Sequence, residues 1–579
     1  MHRRWLVNRT NTEYLSYLSK AASISPVFAQ ILINRGIRTV SAVQAFLHPS
    51  FTALSDPFDL QGMKEAIERI TVARHLGEKV LVHGDYDADG LTATAIMVSA
   101  LRTAGLDAGY FIPHRMLHGY GFHAAGVEAA EKAGARLILT VDCGISSFEA
   151  ADRARDLGID VIITDHHEPV VNGQRAGYAA KDPPDFMVPN AVAVINPKLS
   201  PHVSNLTVLS GAGLAFKLAQ AMAADKNLKF SPDDLPPLLD LAALGTVADV
   251  VPLVGDNRIM VRDAMPHIQG GSRRGLQALK QAAGLDGRQI KAGLLSYTLV
   301  PRINAAGRIA EAHDVVRLLL SEEEDEAYEL AAWLERMNGE RQRVEETVYQ
   351  GALERVKQSD TDAVIVLAHE TWHQGVLGIV ASKMVEAFHL PAFIFSVEDG
   401  IAKGSARSIP VFDICKGLEQ CGDLLLSFGG HKQAAGVKLR AGDLPAFAQR
   451  MKEIFLRDTA GEATEHLIEI HAAVTLADVK SSLMREMEML EPFGHGNPEP
   501  LLGAKNLALI GPKVVGSRHL KLKVKNGPLS LDAIGFDMGS LIDDLVPSVP
   551  YDAAFTPAYN EWNGNRYLQL VLRGLRPSA

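Results

Sequence analysis

Three cysteines in 579 residues are too few for a disulfide framework, and Cys143, Cys415 and Cys421 lack the spacing of a zinc site. A reducing cytosol, and hence a cytoplasmic location, is the expected setting. No stretch approaches the ~20 consecutive apolar residues that a membrane helix needs. None follows the charged start Met1-His-Arg-Arg-Trp-Leu-Val-Asn8, so neither a membrane span nor a signal peptide is expected. Positive charge is not in excess either. A net charge of −10 argues against a uniformly basic coat for nucleic acid, but leaves room for a local basic groove beside an acid-rich site.

What is present is a globular composition, 47% hydrophobic and 22% charged, on a chain long enough for several domains. Residues 1–55 read as a helical segment, with helices over Tyr14–Ala22, Pro26–Arg35 and Val40–Leu47. From Gly62 the pattern alternates helices with short apolar strands, at Val80–Val82, Ala108–Ile112, Leu137–Val141 and Val161–Thr164. That alternation predicts a mostly parallel α/β sheet within a domain over 56–320. Asn172–Met187 is polar and rich in Gly and Pro and reads as a surface excursion. Ser321-Glu-Glu-Glu324 has the form of a capping box opening a long connector helix over 321–358, with a break expected near Asn338-Gly339. A second α/β domain is expected over 359–460. A β-rich region with turn signals at Gly494, Gly511-Pro512, Asn526-Gly-Pro528 and Asn563-Gly564 is expected over 465–579, as a small barrel or sandwich. The fold class is therefore multidomain α/β with a C-terminal β domain.

The acids fall at strand ends. Val80–Val82 leads into His83-Gly-Asp85-Tyr-Asp87-Ala-Asp89-Gly90, Leu137–Val141 into Asp142-Cys-Gly144, and Val161–Thr164 into Asp165-His166-His167. In open α/β sheets, sites assemble at the carboxyl ends of strands, so three strands deliver carboxylates and imidazoles to one edge. An unpaired interior carboxylate costs roughly several kcal/mol, which calls for a positive group among them. Hard oxygen ligands with imidazole suit Mg²⁺ or Mn²⁺; the alternative is a solvated acidic turn closed by Gly90. Asp249 is a lone charge in the apolar run Leu241–Val251, either liganded or a helix N-cap. Arg302 and Arg308 flank small residues, a spacing fit either for a phosphate clamp or for structural ion pairs. Lys403-Gly-Ser405-Ala-Arg407-Ser408 and Phe428-Gly-Gly-His431-Lys432 combine small and anion-binding residues; the plainer reading of Gly429-Gly430 is a tight turn. Leu520, Leu522 and Val524 alternate with Lys521, Lys523 and Lys525, which predicts a strand with ammonium groups on its outer face, and Phe536, Tyr559, Trp562 and Tyr567 could offer stacking surfaces.

These residues together resemble the motifs of the DHH phosphoesterase superfamily: His83-Gly-Asp-Tyr-Asp-Ala-Asp-Gly90, Asp142-Cys-Gly144, Asp165-His-His167 and Gly245-Thr-Val-Ala-Asp249. Later segments resemble its RecJ branch of single-stranded-DNA-specific 5′→3′ exonucleases: Arg302-Ile-Asn-Ala-Ala-Gly-Arg308, Trp372-His-Gln-Gly375 with Gly378-Ile-Val-Ala-Ser382, and Gly430-His-Lys-Gln-Ala-Ala-Gly436. The resemblance implies a DHH domain, a DHH-associated domain and a C-terminal OB-fold. It implies two Mn²⁺ or Mg²⁺ ions held by His83, Asp85, Asp87, Asp89, Asp142, His166 and Asp249, with Asp142 the bridging candidate and His167 acting beside the metals. Arg302 and Arg308 would assist catalysis and, with Asn304, Ser405, Arg407, Ser408, His431, Lys521 and Lys523, hold the substrate. The implied work is release of mononucleotides from single-stranded DNA in recombination and repair, beside a single-strand-binding protein and a RecQ-type helicase. Two other readings stand against it: an enzyme of the superfamily that cuts short oligonucleotides or cyclic dinucleotides, which the C-terminal β domain disfavours, and a non-catalytic DNA-binding scaffold, which the full set of acidic positions disfavours.

Overall fold

Val80-Leu-Val82, Leu137-Ile-Leu139 and Val161-Ile-Ile163 are runs of branched apolar residues without alternation, and all nine side chains are buried. Strands covered on both faces require this, and they lie in a sheet whose five strands all run parallel. The computed structural model describes residues 4–8, 10–115, 117–171, 174–175, 186–200, 205–271, 273–358, 363–459, 467–546, 548–562 and 565–578. The strand order is Asp107–Phe111, Lys79–His83, Leu137–Val141, Asp160–Thr164 and Ala193–Ile195. The chain enters at Lys79–His83, steps to one side, then crosses back to Leu137–Val141 on the other. The direction of winding therefore switches between those two strands, and a crevice opens at their carboxyl ends. Most of Asn172–Met187 lies outside the described residues.

Helices Gly211–Ala224 and Leu239–Ala248 pack against helix Ala88–Thr103 and extend the apolar core of this domain. The connector helix begins at Glu324, three residues later than expected, and runs unbroken to Gln358. The expected capping box does not form: the Ser321 hydroxyl donates to the Glu326 carboxylate instead. Nor does the helix break near Asn338, whose buried Oδ1 accepts from Arg341.

The second α/β domain is a sheet in the order Ile365–His369, Ala392–Glu398, Ile401–Arg407, Ala434–Arg440 and Leu425–His431. Only its first pair is parallel. Gly429 and Gly430 lie within a strand and do not form the turn. At Gly430 a Cβ would come within 2.3 Å of the Ala434 carbonyl, so only glycine fits.

The C-terminal strands Leu502–Val515, His519–Asn526, Leu529–Gly535, Asn565–Pro577 and Tyr551–Trp562 close into a barrel through pairing of the first with the last. As the alternation requires, Leu520, Leu522 and Val524 are buried while Lys523 and Lys525 are exposed and Lys521 is half-buried. Phe536 and Tyr567 are exposed, whereas the Tyr559 ring lies under the Arg566 guanidinium at 4.5 Å. The Trp562 side chain and the Asn563-Gly564 turn lie outside the described residues.

The N-terminal segment does not stand alone. Leu18, Phe28, Ile31, Leu32 and Val43 share one apolar core with Leu520, Leu522, Phe555 and Leu572 of the barrel. Its first strand, Arg4–Val7, which the sequence pattern did not reveal, pairs in parallel with Leu467–Ile470. Arg258 of the first α/β domain is buried at this junction and donates to the carbonyls of Phe46, Met489 and Leu490.

Candidate metal centre

Each strand end in the crevice places its acids by local backbone chemistry. Asp87 caps helix Ala88–Thr103, its Oδ1 accepting from the Asp89 and Gly90 amides. Asp89, two residues on in the first turn, accepts from the amides of Gly211 and Ala212 at 2.6 and 2.9 Å, at the positive end of helix Gly211–Ala224. Asp142 sits at φ 61°, a left-handed conformation that a non-glycine residue holds only under constraint. Gly211 lies so close that a Cβ there would come within 2.6 Å of the Asp142 carboxylate. Asp249 is the residue after helix Leu239–Ala248, so it closes the helix C-terminally and is not an N-cap.

Three sets of ligand atoms converge to within 4.8 Å of one another: Asp85, Asp87 and Asp142; Asp142, His166 and His167; and Asp89, His166 and Asp249. Asp142 and His166 each belong to two sets, which fits two cations with a shared ligand. Asp142 Oδ1 and His166 Nε2 lie 3.0 Å apart. Those two atoms and Asp85 Oδ1 are buried and make no hydrogen bond among the described residues. Lone pairs buried, unsatisfied and aimed into a common space are what a divalent cation with oxygen and imidazole ligands would satisfy.

Electrostatics gives the same answer. Burial, reinforced by neighbouring carboxylates, pushes Asp85 and Asp142 well above the usual carboxylate range, Asp89 up to about 7 and Asp249 up to about 8. Burial lowers His166 to about 3, so it is a neutral imidazole ready to ligate. His167 differs. Burial opposes its charge, but Asp165 outweighs that through a 2.7 Å contact to Nδ1 and raises it to about 9. Asp165 is in turn pulled to about 2 against its own burial, mainly by His167, and also accepts from the Ile145 amide.

The other expected site residues carry contacts of their own. His83 joins none of the three sets, but its Nε2 too is buried without a hydrogen-bond partner among the described residues, while its Nδ1 faces Cys143 Sγ at 3.6 Å and its ring packs against Phe111 and Phe122. Arg302 is committed to Glu335 on the connector helix and to the Thr298 carbonyl, the structural ion pair that the spacing left open. Asn304 accepts from the Ala88 amide at 2.8 Å and so supports the metal loop. The Ser408 hydroxyl is buried and donates to Phe412 O. Lys521 and Lys523 belong to the barrel and not to the crevice.

Arg308 donates to the Gly375 carbonyl at 3.0 Å and is near enough to Asp87 for its charge to act on it, and Arg407 donates to the Ala406 carbonyl. Burial lowers both, Arg308 to about 10, and they are lowered further by each other's neighbourhood of guanidinium groups: Arg115 acts on both, Arg341 and Arg407 on Arg308. Ser405 Oγ and Arg407 Nη2 both face Gly378, at the start of helix Leu377–Phe388. His431 is near enough to His166 to depress its charge. Two residues were missed in the sequence. Arg115 lies over the Tyr86 ring at 5.1 Å, and the Tyr120 hydroxyl contacts His167 Nδ1 at 2.8 Å. Both come from the loop after Asp107–Phe111, where no periodic pattern points to a site.

Family models match in the same order as the domains: the DHH family N-terminal domain over residues 79–246, the DHHA1 domain over 361–456 and the RecJ OB domain over 470–574. The single-stranded-DNA-specific exonuclease RecJ of Escherichia coli is 34% identical over 582 residues, spanning 96% of either chain. The chain belongs to the RecJ family. The RecJ of Bacillus subtilis is 36% identical over 575 residues, 98% of this chain and 70% of that protein. The crystal structure of Thermus thermophilus RecJ in complex with Mn²⁺ superposes with a TM-score of 0.83 at 32% identity, covering 100% of this chain and 80% of that one. Its Mg²⁺ complex gives 0.78 at the same identity. The RecJ fold expected from the motifs, with DHH, DHHA1 and OB domains in sequence, is therefore present.

Proposed function

We propose that this RecJ-family chain is a single-stranded-DNA-specific 5′→3′ exonuclease that releases mononucleotides by metal-dependent phosphodiester hydrolysis, in DNA recombination and repair. The observation that carries the reading is the convergence of buried, unsatisfied ligand atoms in the crevice, with the guanidinium groups of Arg115, Arg308 and Arg407 close enough to act on one another and, for Arg308, on Asp87. His83, Asp85, Asp87, Asp89, Asp142, His166 and Asp249 would hold two Mn²⁺ or Mg²⁺ ions, with Asp142 shared. Two such ions supply a deprotonated water at neutral pH and charge stabilisation on both attacking and leaving oxygens.

The chain's own residues do the rest. Arg308 and Arg407 meet phosphate oxygens with preorganised positive charge, and Ser405 and His431 hold the 5′ end. His167, kept protonated by Asp165, offers its Nε2 proton toward the leaving oxygen. Asn304 keeps the metal loop in register. The exposed lysines of the barrel hold the downstream backbone without reading bases. The 5′→3′ polarity, a single-strand-binding protein and a RecQ-type helicase as partners, and a cytoplasmic location rest on resemblance and on cysteine usage. Among the described residues no helix is long and apolar enough to cross a membrane.

The test is degradation of a long single strand labelled separately at each end, in Mn²⁺, Mg²⁺ or EDTA. The 5′ label should leave first, as mononucleotide, and EDTA or Asp142→Ala should stop its release. Cleavage confined to short oligomers or cyclic dinucleotides would hand the site to a small-substrate enzyme.

A further inference from the structure

A second concavity lies far along the chain from the metal centre, between the N-terminal strand and the barrel. It measures about 360 Å³, within the usual range for a small-ligand site, and Trp5, Ile470, Leu476 and Leu507 form apolar parts of its wall. Lys505 and Asn526 line it too. We propose that this cavity takes one nucleobase of a single strand that runs along the lysine edge of the barrel, which makes the N-terminal strand part of the nucleic-acid surface. The inference rests on the single-strand reading above and adds to it a subsite outside the barrel.

Continuity is the first argument. Lys521, Lys523 and Lys525 point outward along strand His519–Asn526, and the residue that ends that strand, Asn526, lines the cavity. Lys513 stands directly across from Lys521 on the neighbouring strand. Like charges in that position repel, so a ridge of this kind is stable only beside a polyanion or in water. Asp532, opposite Lys523, is the single acid paired with these three lysines across strand Leu529–Gly535. A phosphate backbone laid along the ridge passes Lys525 to the end of the strand beside the cavity, whose wall sets Lys505 and Arg576 against Asp478 and Asp552.

Chemistry of the wall is the second. Trp5 is held in place by the pairing of its strand with Leu467–Ile470 and by the Arg576 guanidinium, 4.4 Å from its ring centroid. Arg576 also lines the cavity and is itself held by Asp552 at 3.4 Å. An indole and a guanidinium are flat surfaces on which any base can stack, so the subsite is tolerant of sequence, as a processive nuclease requires.

The test uses the full chain in EDTA with oligothymidylates of about 6 and about 30 nucleotides, bracketing the reach of one barrel. Trp5→Ala should weaken binding of the long strand about tenfold and leave the short one unchanged, and Trp5→Phe should restore most of the loss. Hydrolysis of the short strand in Mn²⁺ should match wild type. In the wild-type chain, 5-iodouracil placed along the long strand should photocrosslink to the peptide that contains Trp5. A uniform loss at both lengths with a lowered melting temperature would mean a damaged N-terminal strand, and the wild-type crosslink then decides. Unchanged affinity in Trp5→Ala and in Lys505→Glu, with no crosslink to Trp5, overturns the proposal and leaves the cavity to another occupant, such as a peptide. A wild-type chain that neither binds nor cuts a single strand would instead overturn the single-strand reading itself.

Discussion

The crevice of the first domain and the outer face of the barrel both depend on charge, but they arrange it in opposite ways. In the crevice Asp85, Asp89 and Asp142 are buried, mutually repelling and fixed by backbone amides, a left-handed conformation at Asp142 and a glycine in van der Waals contact. On the barrel the lysines are solvated on one face of a strand whose other face is apolar core. Buried charge is strong and intolerant, because every group depends on its neighbours. Exposed charge is weak and additive, because water screens each group separately. Chemistry should therefore sit in the first region, and grip in the second.

The largest expected effect comes from Asp142→Asn, which keeps shape and removes the shared ligand. Mn²⁺-dependent hydrolysis should fall by roughly 10³-fold or more. The same change removes a carboxylate from a repelling cluster, so the metal-free protein should melt a few degrees higher than wild type, ~3 °C. Steady-state hydrolysis and calorimetry in EDTA check the two halves. A variant that lost activity and stability together would mean that Asp142 serves the fold and not the site.

Next in size is the pH dependence of the metal-free protein. Asp89 and Asp249 have folded values raised by burial to about 7 and about 8, above an unfolded value near ~3.9. For groups shifted in that direction the stabilising contribution is complete below the unfolded value and is lost as pH rises through the folded one. In EDTA the melting temperature should therefore fall between pH 5 and pH 8.5, by roughly 5 °C. Mn²⁺ should raise it most at the alkaline end, because it binds the ionised carboxylates. A flat profile in EDTA would mean that the carboxylates are already compensated within the chain.

A smaller effect is expected at Asn304, which touches the site only through the Ala88 amide. Asn304→Ala should cost ~1 kcal/mol of stability, as loss of a helix cap does, and slow hydrolysis about tenfold by loosening the loop that carries Asp85 and Asp87. Asn304→Asp retains the acceptor and should recover the stability. If neither variant changes the rate in saturating Mn²⁺, the loop is held by the metals alone.

The two regions were also unequally legible in the sequence. Strands Leu137–Val141 and Asp160–Thr164 were readable because unbroken apolar runs demand burial on both faces, and the acids at their ends had no cheap fate inside a sheet. The lysine strand was readable because its period is two. What escaped was whatever depends on a partner distant in the chain. Nothing near Arg302 announces Glu335, and nothing near Arg4–Val7 announces Leu467–Ile470, so the choice between ion pair and phosphate clamp stayed open and a strand went unseen. Ser321 had the letters of a capping box, but the helix starts at Glu324 and the hydroxyl bonds Glu326 instead. Short-range patterns carry local geometry; they carry no information about which of two chemically equal uses the tertiary structure selects.

The smallest effect, and the one that most sharpens the contrast, belongs to the barrel. Replacing Lys521 and Lys523 together by Ala removes two backbone contacts, so the slope of log affinity against log salt for single-stranded DNA should shrink by about 1.4. Affinity at low salt should fall several-fold, while hydrolysis of a saturating short oligonucleotide stays unchanged. Stability should hold or rise by a few tenths of a kcal/mol, roughly, because Lys521 no longer faces Lys513 across the ladder. Filter binding over a salt series measures the slope, and denaturant titration measures the rest. A lowered rate at saturation would put these lysines in the reaction itself, and the division between buried chemistry and exposed grip would fail. An unchanged slope would mean that the strand runs over another face of the barrel, and the path to the Trp5 cavity would have to be redrawn.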